Sequence, residues 1–518
     1  MVALLQRIGT ALADDWRGFV ATVSPPPPPE PGLHTLRLRA PDGSGRKRIH
    51  LRIEPDGAGV LFVDVTDVIQ LNPPAAAVVH HLLLGGGHDA TPDPERDHAA
   101  GSRAVARAIL ARGDRSIPRR TLDARVDELA ALVDRVTTLN PGCPTCDLEF
   151  LGRKALFSTR AKAPYKADLA LTYGCNNACN HCYNDTERLP MPSMQRERWF
   201  AVIDRLAALG VPHLIFTGGE ATLHPDLPAL VAHANAAGMI CGLNTNGRRL
   251  GHDPFLQTLV DAGLDHVQVT LSSHIGELHD AINGTKAFHQ TVKGIRAAVA
   301  SPIHTITNTT ICARNKDSIE ETIDFLHDLG IRTFAMNGMI YSGGGFADPD
   351  AIAEDAMVPI LERIRDHAAD KGMRFLWYTP TEYCRLSPVE LEIGAKRCNA
   401  GEYSIAIEPN GDVLPCQSFY VAAGNILDDP WESIWRGDLF RSFREREEDP
   451  AKWGLPDKCH ECPDLPLCGG GCRIERDARD GVRTEGPAPS PSADGFAPPR
   501  AMTAPRSERA ERALPLLS

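Results

Sequence analysis

A chain of 518 residues, 42% hydrophobic and 24% charged, has material for roughly two to four domains and more than one sizeable core. Its formal charge of −12 argues against a general nucleic-acid binder, which needs a basic surface. No apolar run is long enough to span a bilayer. The opening stretch, MVALLQRIGTALADDWRGF, has apolar residues at helical spacing. It carries acidic residues where an export signal needs a basic start, and no small-residue cleavage site follows. A cytoplasmic protein with neither membrane nor nucleic acid as partner is the expectation. Fourteen cysteines stand out, three of them at 175–182 and four at 459–472. In a reducing compartment such clusters read as metal ligands rather than disulfides.

Residues 1–29 read as an N-terminal helix and a linker ending in Pro25–Pro29. Residues 30–137 follow as a small α+β unit of winged-helix-like pattern. Its strand-like stretches are LHTLRLRA, RIHLRIEP and GVLFVDV. VIQLNPPAAAVVHHLLLGG reads as a turn leading into a helix started by Pro73. Two more helices are expected at Arg103–Ala111 and Thr121–Val136, preceded by a polar loop at Gly85–Asp97. A linker, 138–164, carries the ambiguous pair Cys143 and Cys146.

Between 165 and 378 strand and helix patterns alternate. The strands are ADLALT, PHLIFT, MICGLNT, HVQVTLS, HTITNTTICA and IRTFAMNGMI. Helices such as RERWFAVIDRLAALG and SIEETIDFLHDLG each close on a glycine, as a C-cap does. The pattern predicts an α/β domain whose parallel sheet curls into a barrel or partial barrel, with chemistry at the C-terminal ends of the strands. Residues 379–474 are cysteine-rich, and EYSIAIEPNGDVLPC reads as a hairpin with Asn410-Gly411 in a tight turn of positive φ. Residues 475–518, with EGPAPSPSADGFAPPR, have too little apolar surface to order themselves.

ADLALT runs directly into Cys175-Asn-Asn-Ala-Cys179-Asn-His-Cys182. Thiolates hold iron–sulfur clusters, and a cubane takes four ligands. Three local cysteines leave one iron open for substrate or cofactor. The bland reading is a structural zinc site completed by His181 or a distant residue.

CNNACNHC resembles the CxxxCxxC signature of the radical S-adenosylmethionine (SAM) superfamily, whose fold is a partial (β/α)6 barrel of TIM type. The resemblance implies that Cys175, Cys179 and Cys182 hold a catalytic [4Fe–4S] cluster and that SAM chelates its open iron. Reductive cleavage of SAM then gives a 5′-deoxyadenosyl radical that abstracts a substrate hydrogen. Gly218-Gly219-Glu220, at the end of the second strand, is similar to the family's GGE motif for the SAM amino group. Asn246, in Asn244-Thr245-Asn246-Gly247, is similar to its TNG. Thr270 and Ser272 fall where relatives place a ribose-binding hydroxyl, although a strand-end hydroxyl also caps helices. His181 completes the candidate cofactor-binding set.

Residues 379–474 resemble the SPASM extension of peptide-modifying members, with Cys398…Gly411…Cys416 as its first half and Cys459, Cys462, Cys468 and Cys472 as its second. A zinc ribbon is the bland alternative. The family's interleaved ligation implies one auxiliary [4Fe–4S] cluster on Cys384, Cys398, Cys416 and Cys472, and a second on Cys459, Cys462 and Cys468. The chain lacks the further downstream cysteine that completes the second cluster. Asp464, Cys143 or Cys146, substrate or water are the candidates for that place, and one or two auxiliary clusters are expected. Gln417 stands where sulfatase-maturing relatives have an aspartate base, which argues against sulfatase maturation.

The N-terminal unit resembles the pyrroloquinoline-quinone chaperone type of peptide-binding domain, the RiPP recognition element, in which a leader peptide adds a strand to the sheet edge. An unrelated winged-helix-like cap is the alternative. Together the resemblances imply a radical SAM/SPASM oxidoreductase that crosslinks a ribosomally made precursor peptide, by a thioether or carbon–carbon bond. A ferredoxin- or flavodoxin-type protein would be the reductant. A small-molecule or tetrapyrrole substrate is the first alternative, and a non-catalytic peptide-binding or electron-transfer protein the second. Cys241 and Cys312 read as core thiols and His80-His81 as structural, while His274 and His279, near a strand end, read as solvated loop residues with a place lining the site as the alternative.

Overall fold

The computed structural model describes residues 16–24, 26–39, 46–63, 67–84, 102–138 and 160–481. The expected loop at Gly85–Asp97 and the pair Cys143/Cys146 lie outside them. The chain divides into two compact units, residues 1–155 with 207–212, and residues 156–206 with 213–518. Among the described residues no helix is long and apolar enough to cross a membrane.

In the first unit a helix at 16–23 (α1) precedes four strands. These are β1 (Gly32–Arg39), β2 (Arg46–Ile53), β3 (Gly59–Val63) and β4 (Asp67–Leu71), paired antiparallel in sequential order. Three helices follow, α2 (Pro73–Leu84), α3 (Arg103–Gly113) and α4 (Leu122–Thr137). Alternate residues of β2, Ile49, Leu51 and Ile53, join a core with Val78 and Val79 of α2, Leu110 of α3 and Leu129 of α4, as a two-residue period requires. Helix α2 starts where Pro73 promised. Asn72 caps it, its side-chain oxygen accepting the Ala75 amide at 3.0 Å, and proline fills the first helical position, where no N–H is needed. The segment before it is a strand rather than the expected turn: Asp67–Leu71 pairs with β3 throughout.

The second unit is built on β5 (Lys166–Thr172), β6 (His213–Gly218), β7 (Ile240–Thr245), β8 (His266–Thr270), β9 (His304–Thr310), β10 (Thr333–Asn337) and β11 (Arg374–Trp377). Each pairs in parallel with the next, and the sheet stays open. The connections are α5 (Arg196–Ala208), α6 (Leu227–Ala236), α7 (Asp253–Ala262), α8 (Gly276–Asn283), α9 (Phe288–Val299), α10 (Ile319–Asp328) and α11 (Glu354–Asp370). Helix α5 buries Trp199, Val202, Ile203 and Leu206, one stripe of a 3.6-residue period. All six expected strands are present. The seventh, β11, is four residues long, and its partner β10 supplies the register that its sequence does not advertise.

The cysteine-rich segment is continuous with this sheet. Strand β12 (Ser404–Ile407) pairs in parallel with β5 and antiparallel with β13 (Val413–Leu414). The hairpin connection is longer than the expected two-residue turn. Glu408 N–H donates to the Asp412 carbonyl, and Gly411 has φ +95°, while Asn410 keeps a negative φ. Its side chain instead accepts the Asp412 amide at 3.1 Å, an Asx turn that removes the need for left-handed backbone. Among the described residues four short helices follow, α12 (Trp431–Trp435), α13 (Asp438–Arg444), α14 (Leu465–Cys468) and α15 (Arg473–Arg479). Order therefore runs past the expected break at 475. Ile474 and Glu475 are buried and Arg479 pairs with Glu382 at 2.9 Å, which outweighs the polar composition that begins there.

Candidate functional site

The cysteine loop leaves the C-terminal end of β5 and is pinned from three directions. The Ala178 and Asn180 amides donate to the carbonyls of Asn283 and Ile282 at the end of α8. The Cys179 thiol donates to Asn283 Oδ1 at 3.2 Å. Asn246 donates to Asn176 Oδ1 at 2.6 Å, and Arg248 reaches the Asn176 carbonyl and Asn177 Oδ1. On the third side the Gly344 amide donates to the Cys182 carbonyl. Three thiols are thus presented on a fixed backbone.

Burial pushes the Cys175 thiol well above its usual range, with the Glu220 carboxylate adding to it and Cys179 after that. Burial, then neighbouring Cys182, lifts Cys179 to about 12. Thiols raised in this way are poor nucleophiles, and a metal centre is what converts such a set to thiolates. Among the described residues no three His, Cys, Asp or Glu side chains converge on a single-ion site. A cubane makes no such demand, because its thiolates stand on separate irons. Cys175, Cys179 and Cys182 lie near enough to raise one another's thiols, a donor set that suits a cubane with one open iron.

Glycines at 218 and 219 are dictated by distance. A Cβ on Gly218 would lie 2.1 Å from the Thr172 carbonyl oxygen, and one on Gly219 would lie 2.3 Å from that of Tyr173. The absent side chains let β6 close onto the cysteine loop, where Gly219 and Glu220 amides donate to the Thr172 and Gly174 carbonyls. Glu220 is buried and ties three segments together. Its Oε1 accepts the Thr222 and Thr245 hydroxyls, each at 2.6 Å, and its Oε2 accepts the Asn246 amide at 2.7 Å.

Ser272 sits at the same sheet end, its hydroxyl within 3.2 Å of Asn283 Nδ2 and its amide donating to His279 Nδ1. His279 is buried in α8, not a solvated loop residue, and burial lowers it to about 4. His274 meets the Thr322 hydroxyl at 3.0 Å. Thr270 ends β8 beside Asn308 of β9. His181 is lowered by burial, with Asp348 opposing and Arg314 reinforcing the shift. Cys241 and Cys312 are buried in the core. Asn283 and Arg248 were not singled out in the sequence. The polar run GTK after α8 and the RR after the TNG match carried no local signal of contact with a loop 70 to 100 residues away.

The remaining cysteines fall into two sets. Cys398, Cys416 and Cys472 share an apolar cluster with Phe419, Phe443 and Ile474. Burial, then Cys398, raises both Cys416 and Cys472, the latter to about 12. Cys459 and Cys462 pack with Leu455 and Leu465, and burial, then Cys468, raises Cys459. Gln417 Oε1 is buried without a hydrogen-bond partner. Between the cysteine loop and the β12–β13 hairpin runs a buried network. Arg188 pairs with Glu408, lies 4.5 Å over the Tyr420 ring and donates to the Tyr420 carbonyl. Tyr173 donates to Glu408 at 2.8 Å, and Tyr420 meets the Tyr183 carbonyl and Asn184.

In the first unit a groove of about 730 Å³ runs beside Leu33–Thr35 of β1. Ala77, His80 and Leu84 of α2, Ile109 of α3 and the run Pro26–Pro29 form its walls.

Comparison with known proteins bears on this arrangement. Residues 169–326 match the model of the radical SAM superfamily, and residues 398–463 that of the SPASM iron–sulfur cluster-binding domain. The AdoMet-dependent heme synthase of Methanosarcina barkeri is 27% identical over 336 residues, 62% of this chain and 94% of its own. The PqqA peptide cyclase of Xanthomonas campestris pv. campestris is 28% identical over 332 residues, 60% of this chain and 82% of its own. The mycofactocin maturase MftC of Mycobacterium tuberculosis is 28% identical, over 64% of this chain and 84% of its own. Among solved structures, Streptococcus suis SuiB bound to its precursor peptide SuiA shares the fold with a TM-score of 0.59 at 16% identity, covering 88% of this chain and 99% of that one.

Proposed function

The chain is a radical SAM iron–sulfur enzyme with a SPASM domain, and on that premise we propose that it oxidatively crosslinks a ribosomally made precursor peptide, by a thioether or carbon–carbon bond. The observation that carries the reading is the pinned loop of Cys175, Cys179 and Cys182 at the head of a parallel sheet that also bears, through β12 and β13, two further thiol sets. Relatives named as a peptide cyclase and a maturase, and a fold match to a peptide-bound enzyme over most of the chain, support peptide as the substrate class.

Cys175, Cys179 and Cys182 would hold the SAM-binding [4Fe–4S] cluster; with SAM bound, it supplies the electron that yields the 5′-deoxyadenosyl radical. Everything else is positioning by the chain. Gly218 and Gly219 admit close backbone approach. Asn246, Ser272 and Thr270 line the strand ends where SAM's polar groups would be held. Glu220 fixes the strand-end geometry through the hydroxyls and amide it binds. The groove in the first unit would take the leader, with its strand added at a sheet edge. A ferredoxin- or flavodoxin-type protein would serve as reductant, and the cytoplasm, which supplies such proteins, as location.

The relative named as a heme synthase favours a second reading, a tetrapyrrole or other small substrate. One assay separates the two. Anaerobically reconstituted, reduced protein is given SAM with and without a peptide encoded beside its gene, with Cys175→Ala as control. Cys175-dependent 5′-deoxyadenosine that rises with the peptide, plus a mass change in it, supports the proposal. Turnover indifferent to peptide moves the assignment to a small molecule. No 5′-deoxyadenosine from loaded protein given a competent reductant and the peptide ends both.

A further inference from the structure

The interleaved pattern implied by the SPASM resemblance assigns Cys384 to the set of Cys398, Cys416 and Cys472, and leaves the other set one ligand short. The structure distributes the thiols differently. The turn from Cys468 to Cys472 passes through Gly469, Gly470 and Gly471, all with φ between 61° and 75°. It closes on the segment just before Cys384: a Cβ on Gly471 would lie 2.9 Å from the Glu382 amide nitrogen. The Cys468 thiol accepts the Tyr383 amide at 3.4 Å and donates to the Thr381 carbonyl at 3.6 Å. Lys458, adjacent to Cys459, donates to Cys384 Sγ at 3.5 Å and to Glu382 at 2.8 Å. Glu382 also pairs with Arg479 and Arg385, so the segment is held there by three cations.

We propose that Cys384 completes a four-thiolate set with Cys459, Cys462 and Cys468 for the second auxiliary cluster, taking the place of the missing downstream cysteine. This rests on the reading that the SPASM domain holds auxiliary clusters. The apolar surroundings agree with the division, since Cys398, Cys416 and Cys472 pack in one cluster of side chains and Cys459 and Cys462 in another. The Cys384 residue is exposed whereas Cys459 and Cys468 are buried, which sets this cluster at the surface with one solvent-facing ligand. Lys458 would then screen the thiolate charge.

The exposed thiol gives a direct test. In a chain with Cys175, Cys179 and Cys182 changed to Ala, two further variants are reconstituted anaerobically: Cys398→Ala/Cys416→Ala/Cys472→Ala, and Cys459→Ala/Cys462→Ala/Cys468→Ala. Iron, sulfide and iodoacetamide labelling of Cys384, read by peptide mass, are measured for each. The proposal expects the first variant to keep about four irons per chain with Cys384 protected, and the second to leave Cys384 fully labelled. Labelling of Cys384 in the iron-loaded first variant, as Asp464 ligation would give, overturns it, and so does protection in the second. A parent chain that takes up no iron overturns the cluster reading and the proposal together. Cys384→Ser in the otherwise intact chain guards against misfolding of the multiple variants. Its reduced-state paramagnetic spectrum is compared with that of the loaded wild-type chain and must differ from it; an unchanged spectrum overturns the assignment.

Discussion

Gly219 and His224 show how single residues near the site are constrained by distance and by charge. A Cβ at 219 would meet two carbonyl oxygens, of Tyr173 and Gly174, at 2.3 and 2.4 Å, and backbone oxygens cannot step aside as a side chain can. Gly219→Ala must therefore push β6 away from the cysteine loop. The expected outcome is loss of most of the iron that depends on Cys175, measured against a Cys175→Ala control, with far-ultraviolet circular dichroism unchanged. His224 is constrained by charge. Its Nε2 lies 3.1 Å from the Ser193 hydroxyl, which also accepts from the Trp199 indole, and its Nδ1 accepts the Asp226 amide. Burial lowers it to about 4, against the pull of Asp226, whereas an unfolded histidine titrates near about 6.5. Between those values the unfolded chain binds the extra proton, so stability is complete above about pH 6.5 and falls as pH drops, by at most about 1.4 kcal/mol per pH unit for one group. His224→Gln should flatten the loss of melting temperature between pH 7 and 5; parallel curves for variant and wild type would show that His224 is not charged on unfolding. The GGE motif made Gly219 legible in the sequence. His224 was invisible there, because its burial depends on Trp199 and Ser193 meeting it from another element.

At the scale of elements, the segment after the cysteine loop is tied to the β12–β13 hairpin by a buried ion pair, beside the strand pairing of β12 with β5. Both side chains of Arg188 and Glu408 are 2% exposed, and burial pushes the Glu408 carboxyl up against the pull of Arg188. Removing one partner strands a charge, so Glu408→Leu should cost about 3–5 kcal/mol in unfolding free energy. Arg188→Met combined with Glu408→Leu should recover much of that loss, since a well-packed apolar pair avoids desolvation altogether. Denaturant unfolding of the two variants and wild type decides it, and a double variant no better than the single one would mean that the Tyr173 and Tyr420 contacts carry the joint. Elements themselves were largely readable. The six strands ADLALT to IRTFAMNGMI and the helices between them carry their period in the local sequence. Strand β4 was not readable, because Pro73-Pro74 and the Asn72 cap dominated the signal and masked the pairing of Asp67–Leu71 with β3. The hairpin turn was misjudged for a related reason: Asn-Gly suits a two-residue turn, but the Asn410 side chain satisfies the Asp412 amide and lengthens the loop.

The whole molecule is less legible than its parts, because β12 pairs with β5 across more than 230 residues and no local pattern announces a contact of that span. The same pairing makes the barrel and the cysteine-rich segment one unit, where composition suggested two. What the first unit contributes must therefore be tested on the intact chain. If its groove holds a leader, substrate capture and radical chemistry are separable, since tethering raises the local concentration of the core segment without touching the reacting atoms. Ala77 lies half-buried in the wall of that groove, and Ala77→Trp would fill it without disturbing the buried face of α2 formed by Val78, Val79 and Leu82. The expected result is a rise in KM for the full-length precursor of about tenfold or more. The kcat for that precursor, the turnover of a leaderless core peptide and the peptide-independent formation of 5′-deoxyadenosine should all stay at wild-type values. An unchanged KM would place leader recognition elsewhere, at the β4 side of the sheet or on the second unit. A fall in all activities together would mean that the first unit supports the fold of the enzyme and does not read the peptide.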